Sequence, residues 1–465
     1  MKTKNQTTKK KRTKKQITAR QHIVPQLLLK YWDCGVSKEK KIHIFDMKKL
    51  EVRLNQSIRK NFTEKYRYGK DGLVEELLAD KIEGPASSLI EKIVNGDFNI
   101  IGENSLILEK FILSQFFRTP QSSKKASEFI NLQFESIGQE FLSLNGLDLK
   151  EAIAKKLKVD DDDNLAAELT INAVLLAGIL GDLEYHIIKN ETSSEFYISN
   201  HPVFLYNWFY RDLEESAVRS IAATGLQIFL PLSPKITLCL YDPKVYEYGK
   251  RDLVTCISND SDIEILNSFQ IINSNSIGKL NLIGFHLKES GTNIRQLYEK
   301  YRDIKLYSIE SDVLSTEKEG KEKIRSTHLV FIRQTKLEKM PSFIRIKTES
   351  ESYAFSYQQR DPELAAKHVE VVKLANEKAH FPFAYTYNED GTATLTNHKY
   401  KGYVIIFNQS VVNSLKDINL KKLYLEFYEK TWRIWDFENI ENNFYFLSGT
   451  IKIVGKTIIC TNSVG

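Results

Sequence analysis

The chain has 465 residues, of which 42% are hydrophobic and 27% are charged, and its formal net charge is +6. This composition is typical of a globular protein and excludes a disordered or fibrous chain, and the length predicts two or three domains. Residues 1–16 contain eight Lys and Arg and no acidic residue, so the rest of the chain is slightly acidic. A folded domain that binds duplex nucleic acid over a wide surface is usually more basic than this.

The basic tail, residues 1–16, lacks apolar periodicity, and we expect it to be disordered. Two interpretations stay open: attraction to nucleic acid or acidic lipid, and a solvated terminus without a partner. The four cysteines are scattered without metal-ligand spacing, and no signal peptide is visible, so we expect reduced thiols and a cytoplasmic protein. The apolar run 169–180 is too short to span a bilayer, which requires roughly 20 residues. We therefore expect no membrane partner; the oligomeric state is left open.

Hydrophobic periodicity predicts the elements of the first two-thirds of the chain. The predicted helices cover residues 26–32, 73–94 with a kink at Gly84-Pro85, 106–117, 127–144, 148–157, 164–180 and 262–276. The predicted strands cover residues 41–47, 50–54, 183–188, 195–199, 226–232, 236–241 and 277–286. These elements predict a mostly helical N-terminal α+β domain with a small antiparallel sheet, at residues 17–313.

Residues 314–334 are charge-rich, and we interpret them as a linker. Beyond them, residues 335–465 are predicted to form a smaller, strand-rich α+β domain. Its helices are expected at 362–378 and 420–430. An aromatic cluster there, Trp432, Trp435 and Phe437, is interpreted as core packing, with ligand or base stacking as the alternative.

Six segments in order carry a family resemblance: QHIVPQLLLKYW, IHIFD, KIEGPASSLIEKI, RTP, FYISNHPVF and FLPLSPKITLCLYD. With these segments, residues 17–290 resemble the bacterial domain-of-unknown-function family 4238. The resemblance implies a shared fold, and members of that family commonly occur in mobile and host-defence gene neighbourhoods, which suggests a nuclease or toxic effector. The family has His-His before the first Pro, whereas here Gln21 precedes His22. It also often has an Asp after the Ser of the later motif, whereas here Asn200 follows Ser199.

His22 is a candidate general base or phosphate contact, because imidazole titrates near neutrality. Pro25 suits the first turn of a helix, so Gln21 and His22 lie in extended chain that leads into a helix N-terminus, where polar side chains can meet an anion. The alternative for His22 is a hydrogen bond that holds the turn. We predict His22 as catalytic and Gln21 as substrate-binding.

Arg118 ends an apolar helix and could clamp a phosphate with its planar donor fork. It could equally pair with an internal carboxylate such as Glu83, which lies beside the Gly84-Pro85 break and could be catalytic or structural. His201 precedes a proline at a strand end and is the second predicted acid or base. Ser199 and Asn200 are predicted to orient the substrate, with turn capping as the alternative.

A base, an acid and a cation are the groups that phosphodiester cleavage without a metal requires. Nucleotide-binding loops, zinc-protease motifs and nucleophile elbows are not found in the sequence. We therefore predict a nuclease-like phosphodiester hydrolase that uses no cofactor or metal, with nucleic acid bound through the tail. The alternative is a non-catalytic sensor or partner-binding protein of a defence or mobile-element system.

Overall fold

The structure is a computed structural model. It describes residues 19–68, 73–128, 163–213, 216–249, 253–275, 281–319, 323–347 and 356–367, and the backbone of eight strands between 384 and 462. The basic tail, the predicted helix at 148–157 and most of that at 127–144 lie outside these residues. None of the described helices combines the length and the apolar composition that crossing a membrane requires.

The helices begin and end at the following residues: α1 (Gln26–Leu29), α2 (Leu73–Leu77), α3 (Gly84–Val94), α4 (Ser105–Phe117), α5 (Asp163–Leu175), α6 (Asp260–Ser274) and α7 (Ser290–Tyr301). A π-helical segment, Leu78–Glu83, joins α2 to α3. Short 3-10 turns cover Lys30–Trp32, Ile58–Lys60, Gly102–Asn104, Ala177–Leu180 and Ser216–Arg219, and further helical turns lie at 120–128 and 362–367.

The strands up to residue 346 are β1 (Arg20–His22), β2 (Lys41–Asp46), β3 (Glu51–Ser57), β4 (Thr63–Lys65), β5 (Glu184–Asn190), β6 (Ile198–Ser199), β7 (Phe204–Tyr206), β8 (Gln227–Ser233), β9 (Ile236–Tyr241), β10 (Tyr246–Tyr248), β11 (Val254–Ile257), β12 (Leu282–Phe285), β13 (Tyr307–Glu319), β14 (Lys323–Gln334) and β15 (Ile344–Ile346). The later strands are β16 (Ala384–Tyr387), β17 (Ala393–Thr396), β18 (Val404–Phe407), β19 (Leu423–Tyr428), β20 (Thr431–Asp436), β21 (Phe444–Tyr445), β22 (Gly449–Val454) and β23 (Thr457–Asn462).

Two sheets organise the N-terminal two-thirds of the chain. One has five strands in the order β11-β5-β9-β8-β7, and the other has four in the order β3-β2-β12-β6. The β11–β5 pair is parallel and the remaining pairs are antiparallel. β8 and β9 are buried at every position, as expected for the centre of a sheet that is covered on both faces.

Helix α4 belongs to the centre of the main hydrophobic core. Its apolar residues surround the helix on nearly all sides, and Phe111, Ile112 and Leu113 are each at most 1% exposed. Helix α4 packs against α3 and α5. A second, aromatic core lies around Trp208 and Phe269. The buried helix predicted at 106–117 is therefore confirmed, and its C-terminus delivers Arg118 into the protein interior.

The prediction of a mostly helical N-terminal domain with a small antiparallel sheet was wrong. Strands dominate this region, and the two larger sheets include strands that are distant in sequence, such as β2 with β12. Several strands that were not predicted, including β1, β4, β7 and β10, have only three residues. A period-2 pattern requires about four to eight residues to be recognised, so these strands were invisible to it.

The segment predicted as a charged linker, 314–334, lies in the hairpin formed by β13 and β14. The chain after this hairpin packs against the N-terminal body. β15 pairs with β10, and the Gln334 amide exchanges two hydrogen bonds with the Asn207 backbone, at 3.0 and 2.9 Å. The domain boundaries as a whole remain predictions.

Arg360 fixes the last part of this segment. Its guanidinium holds the Asp182 carboxylate at 3.0 Å and donates to the carbonyl oxygens of Ile179, Ile221 and Ala223 at 2.9 to 3.0 Å. The side chain is 3% exposed. This clamp ties residues 356–367 to the 3-10 turn at Ala177–Leu180 and to the turn at 221–223.

The helix predicted at 420–430 is also wrong, because β19 occupies Leu423–Tyr428 and pairs with β20. In this stretch Leu423, Leu425 and Phe427 alternate with polar or amphipathic residues, which is the period of a strand. The aromatic residues Trp432 and Trp435 lie in β20. Phe437 lies outside the described residues, and whether the cluster packs a core stays a prediction.

Candidate active site and a neighbouring pair of buried cations

Arg118 joins three segments that are far apart in sequence. Its Nη1 donates to Glu83 Oε1 at 2.6 Å, its Nη2 to the His22 carbonyl oxygen at 2.6 Å and its Nε to Tyr68 Oη at 2.8 Å. The residue is 3% exposed. All three guanidinium nitrogens therefore have partners within the fold. This arrangement supports the paired-carboxylate interpretation of Arg118 over the free phosphate clamp.

Glu83 lies at the end of the π-helical segment. Such π-helical insertions within a helix occur frequently at functional sites. The Glu83 side chain is 23% exposed, so its carboxylate stands between the buried Arg118 and solvent. The break predicted at Gly84-Pro85 therefore exists, as a change from π-helix to α-helix.

The His22 imidazole has one nitrogen in use and one without a partner. One nitrogen donates to the Ile58 carbonyl, and Nε2 is buried without a hydrogen-bond partner. Burial and the positive charge of Arg118 lower the pKa of His22, and the Glu83 carboxylate partly opposes them. The hydrogen bond to Ile58 sets the tautomer, so Nε2 carries the lone pair of a neutral base.

Glu75, which the sequence analysis did not select, completes this group. Its carboxyl hydrogen-bonds the side chain of Gln21, whose Oε1 also accepts from the Tyr68 backbone N–H at 2.7 Å. Burial and the neighbouring Glu83 raise the pKa of Glu75. Glu75 lies in the helix predicted at 73–94. The sequence signal that could have indicated a role for Glu75 is its spacing from Glu83, which is eight residues or about two helical turns.

His201 contacts the residue after Arg118. Its Nδ1 lies 2.6 Å from Thr119 Oγ1, and its ring packs on Phe116 with the centroids 5.3 Å apart. Burial, together with the charges of Lys125 and Arg219, lowers the pKa of His201 to about 3. The imidazole is therefore neutral throughout the physiological range of pH.

Ser199 and Asn200 hold the turn around His201. Ser199 Oγ accepts from the His201 backbone N–H at 3.2 Å and donates to Gln270 Oε1 at 2.9 Å. Asn200 Oδ1 accepts from the Leu282 backbone N–H at 2.9 Å, and both residues are fully buried. These contacts support the capping interpretation of both residues.

Two cations that the sequence analysis missed lie near His201. The Lys125 ammonium stands 3.4 Å from the centre of the Tyr307 ring, and the Arg219 guanidinium lies 5.6 Å from the same ring. Lys125 comes from the helix at 120–128, and Arg219 ends a 3-10 turn. Neither Lys125 nor Arg219 belongs to a sequence motif, because only folding brings the two residues together.

The chain thus gathers the predicted residues into two groups that meet at Arg118-Thr119. Gln21, His22, Glu83 and Arg118 form the first, which we call the His22 site, together with Glu75 and Tyr68. His201, Ser199 and Asn200 belong to the second. Among the described residues, no three His, Cys, Asp or Glu side chains are arranged to hold a metal ion. A cleft of about 520 Å³ between α6 and residues 335–339 contains none of the predicted residues.

The fold and the His22 site define a mixed α/β protein with a buried histidine, arginine and carboxylate cluster. The model of the family described as "Protein of unknown function (DUF4238)" matches residues 20–282, and the chain belongs to this family. The matched segment includes every residue of both groups. Comparison with curated proteins and with solved structures finds no match.

Proposed function

We propose that the protein is a phosphodiester hydrolase that works by acid–base catalysis at the His22 site. The observation that carries this proposal is the buried, unpartnered Nε2 of His22 beside the Arg118–Glu83 ion pair. A buried polar atom without a partner costs about 1–3 kcal/mol, so its presence calls for an explanation such as a catalytic role.

The environments of His22 and Glu75 move their pKa values in the directions that this chemistry requires. The pKa of His22 is lowered, which favours a neutral base, and the pKa of Glu75 is raised, which favours a protonated acid. A neutral imidazole and a protonated carboxyl are the forms that act as general base and general acid.

In the proposed reaction, His22 Nε2 accepts a proton from a water molecule, and the water oxygen attacks the phosphorus. The bond from phosphorus to the leaving oxygen breaks, and the Glu75 carboxyl donates its proton to that oxygen. Arg118 holds the backbone carbonyl of His22, and Glu83 holds Arg118. The basic tail supports nucleic acid as the substrate, because positively charged segments attract the negatively charged phosphate backbone.

The test is turnover of single-stranded RNA, single-stranded DNA and bis(p-nitrophenyl) phosphate by the full chain, with and without magnesium. We expect His22→Asn and Glu75→Gln each to lower kcat/KM by about 10²- to 10⁴-fold with the melting temperature preserved. His286→Gln is the matched control, because His286 is a half-buried histidine whose Nδ1 lies 3.0 Å from the Asp33 carbonyl oxygen, away from this site. Turnover that persists in His22→Asn contradicts the proposed base.

The second candidate is a non-catalytic sensor or partner-binding protein. It is favoured by the engagement of Arg118, Ser199 and Asn200 in contacts that hold the fold. If the wild-type chain turns over none of the three substrates, the hydrolase proposal fails and this candidate stands.

A further inference from the structure

Lys125 and Arg219 form a pair of like charges that folding partly removes from water. Both are half-buried, and both lie against one Tyr307 ring. Arg219 uses Nη2 to donate to the Leu205 carbonyl oxygen at 2.8 Å, whereas its Nε and Nη1 are buried without hydrogen-bond partners. Burial and the charge of Arg219 hold the pKa of Lys125 well below its ordinary range.

A third group with unused hydrogen-bonding atoms lies on the same helical face as Lys125. Gln121 precedes Lys125 by four residues, which places the two side chains on one face of the helix at 120–128. Both Nε2 and Oε1 of Gln121 are buried without partners. The Tyr307 ring accounts for part of the stabilisation of the two cations, since cations are attracted to the face of an aromatic ring.

No carboxylate among the described residues raises the pKa of Lys125 or Arg219. Buried charges in proteins are normally paired, because an unpaired one loses its hydration without compensation. Two neighbouring cations with open donors and without a protein anion therefore form a site that an external anion would complete.

We propose that Gln121, Lys125 and Arg219 form a binding site for a phosphate monoester group. The two cations match the charge of a monoester, which is between about −1.5 and −2 at neutral pH, better than the single charge of a diester. The open Nε and Nη1 of Arg219 can each donate an N–H to a phosphate oxygen. The Gln121 amide contributes a further N–H. This site does not rest on the proposed hydrolysis, because it consists of different residues and requires no turnover.

The test measures the binding of inorganic phosphate and adenosine 5′-monophosphate to the full chain by calorimetry and thermal denaturation. Potassium chloride at equal ionic strength is the control. Both ligands are expected to raise the melting temperature. Oligonucleotides with and without a 5′-phosphate distinguish a free monoester from a nucleic acid end. A monoester site binds both small ligands and prefers the phosphorylated oligonucleotide. Binding should also take up protons, because the phosphate favours the ammonium form of Lys125.

Lys125→Met and Arg219→Met are each expected to weaken phosphate binding at least about ten-fold. The free Lys125→Met protein should be as stable as wild type or more stable, since the substitution removes a buried amine whose charged form is repelled by Arg219. Lys124→Met is the matched control, because Lys124 is the adjacent residue and lies 3.9 Å from Glu128. It should bind phosphate normally. Absence of phosphate stabilisation in wild type, or equal losses in Lys124→Met and Lys125→Met, overturns the proposal. Hydrolysis at the His22 site is unaffected by that result.

Discussion

Arg118 Nη1 and Glu83 Oε1 lie 2.6 Å apart, and the arginine side chain is 4% exposed whereas the glutamate side chain is 23% exposed. The pair joins the end of α4 to the π-helical segment, while the same guanidinium also holds the His22 carbonyl oxygen. The contact therefore fixes the position of the candidate base relative to the main core.

Removing one partner of this pair should be strongly destabilising. Arg118→Met leaves Glu83 without its counter-ion and frees the His22 carbonyl and Tyr68 hydroxyl, so we expect the free energy of unfolding to fall by about 3–5 kcal/mol. Urea denaturation measures this. Glu91→Gln breaks the more exposed Lys30–Glu91 pair, 3.3 Å long, and should cost at most about 1 kcal/mol. Equal losses in the two variants would contradict the structural role of Arg118.

Gly284 in β12 has no room for a side chain. A Cβ there would lie 2.6 Å from Ile42 Cδ1 and 3.1 Å from Ile198 Cγ2, which belong to the strands on either side. We expect Gly284→Ala to destabilise the protein by about 1–3 kcal/mol through overpacking. Gly102→Ala is the control, because nothing lies within 4 Å of a Cβ at that position. Thermal denaturation of both variants compares the two sites.

Acid should destabilise the protein through its buried neutral histidines. Burial lowers the pKa of His201 to about 3 and that of His186 to about 4, from 6.5. Between the lowered pKa of each histidine and 6.5, the unfolded chain binds more protons than the native one. The stability that the neutral histidines contribute is therefore fully present above pH 6.5 and is lost as the pH falls toward 3. The slope is at most about 1.4 kcal/mol per pH unit for each histidine.

Urea denaturation at pH 7.5, 6.0 and 5.0 measures that slope. His201→Gln should unfold with a shallower dependence on pH than wild type, and His186→Gln should do so over a window that ends nearer pH 4. An unchanged slope in His201→Gln would show that this imidazole titrates normally in the folded protein.

A chain shortened at the predicted boundary, residue 313, should not fold properly. It lacks Gln334, which bonds the buried Asn207 backbone, and Arg360, the partner of Asp182. We expect loss of cooperative unfolding or a melting temperature lower by more than 10 °C, about the effect of a few kcal/mol. A chain that ends at residue 367 keeps both residues and is the control. Equal stability of the two shortened chains would contradict the packing described for Gln334 and Arg360.

The sequence predicted features that depend on neighbours along the chain. Helix α4, strands β8 and β9 and the break at Gly84 follow from apolar periodicity and local backbone preferences, and the structure confirms them. The family was also recognised, because its motifs are contiguous stretches of sequence. Features that depend on distant segments were not predicted. Strands such as β7 have too few residues to show a period, and α7 lies in a charge-rich stretch that resembles a loop.

The candidate site shows the same contrast between features that local sequence predicts and features that only folding creates. The sequence raised the pairing of Arg118 with Glu83 as one of two interpretations, because a buried arginine requires a carboxylate. It could not select Glu75, whose pKa is raised only because folding buries it near Glu83. Lys125 and Arg219 are ordinary surface residues by sequence, and only folding brings both of them to the Tyr307 ring.

The clamp made by Arg360 has a consequence for the order in which the protein is made. Domains generally begin to fold from the N-terminus during synthesis. Residues 20–282 leave the ribosome well before Arg360, so Asp182 and the carbonyl oxygens of the two neighbouring turns must remain hydrated during that interval. Translation thus supplies the arginine of the Arg360–Asp182 ion pair late, and the nascent family-matched region remains incomplete until that arginine has been added.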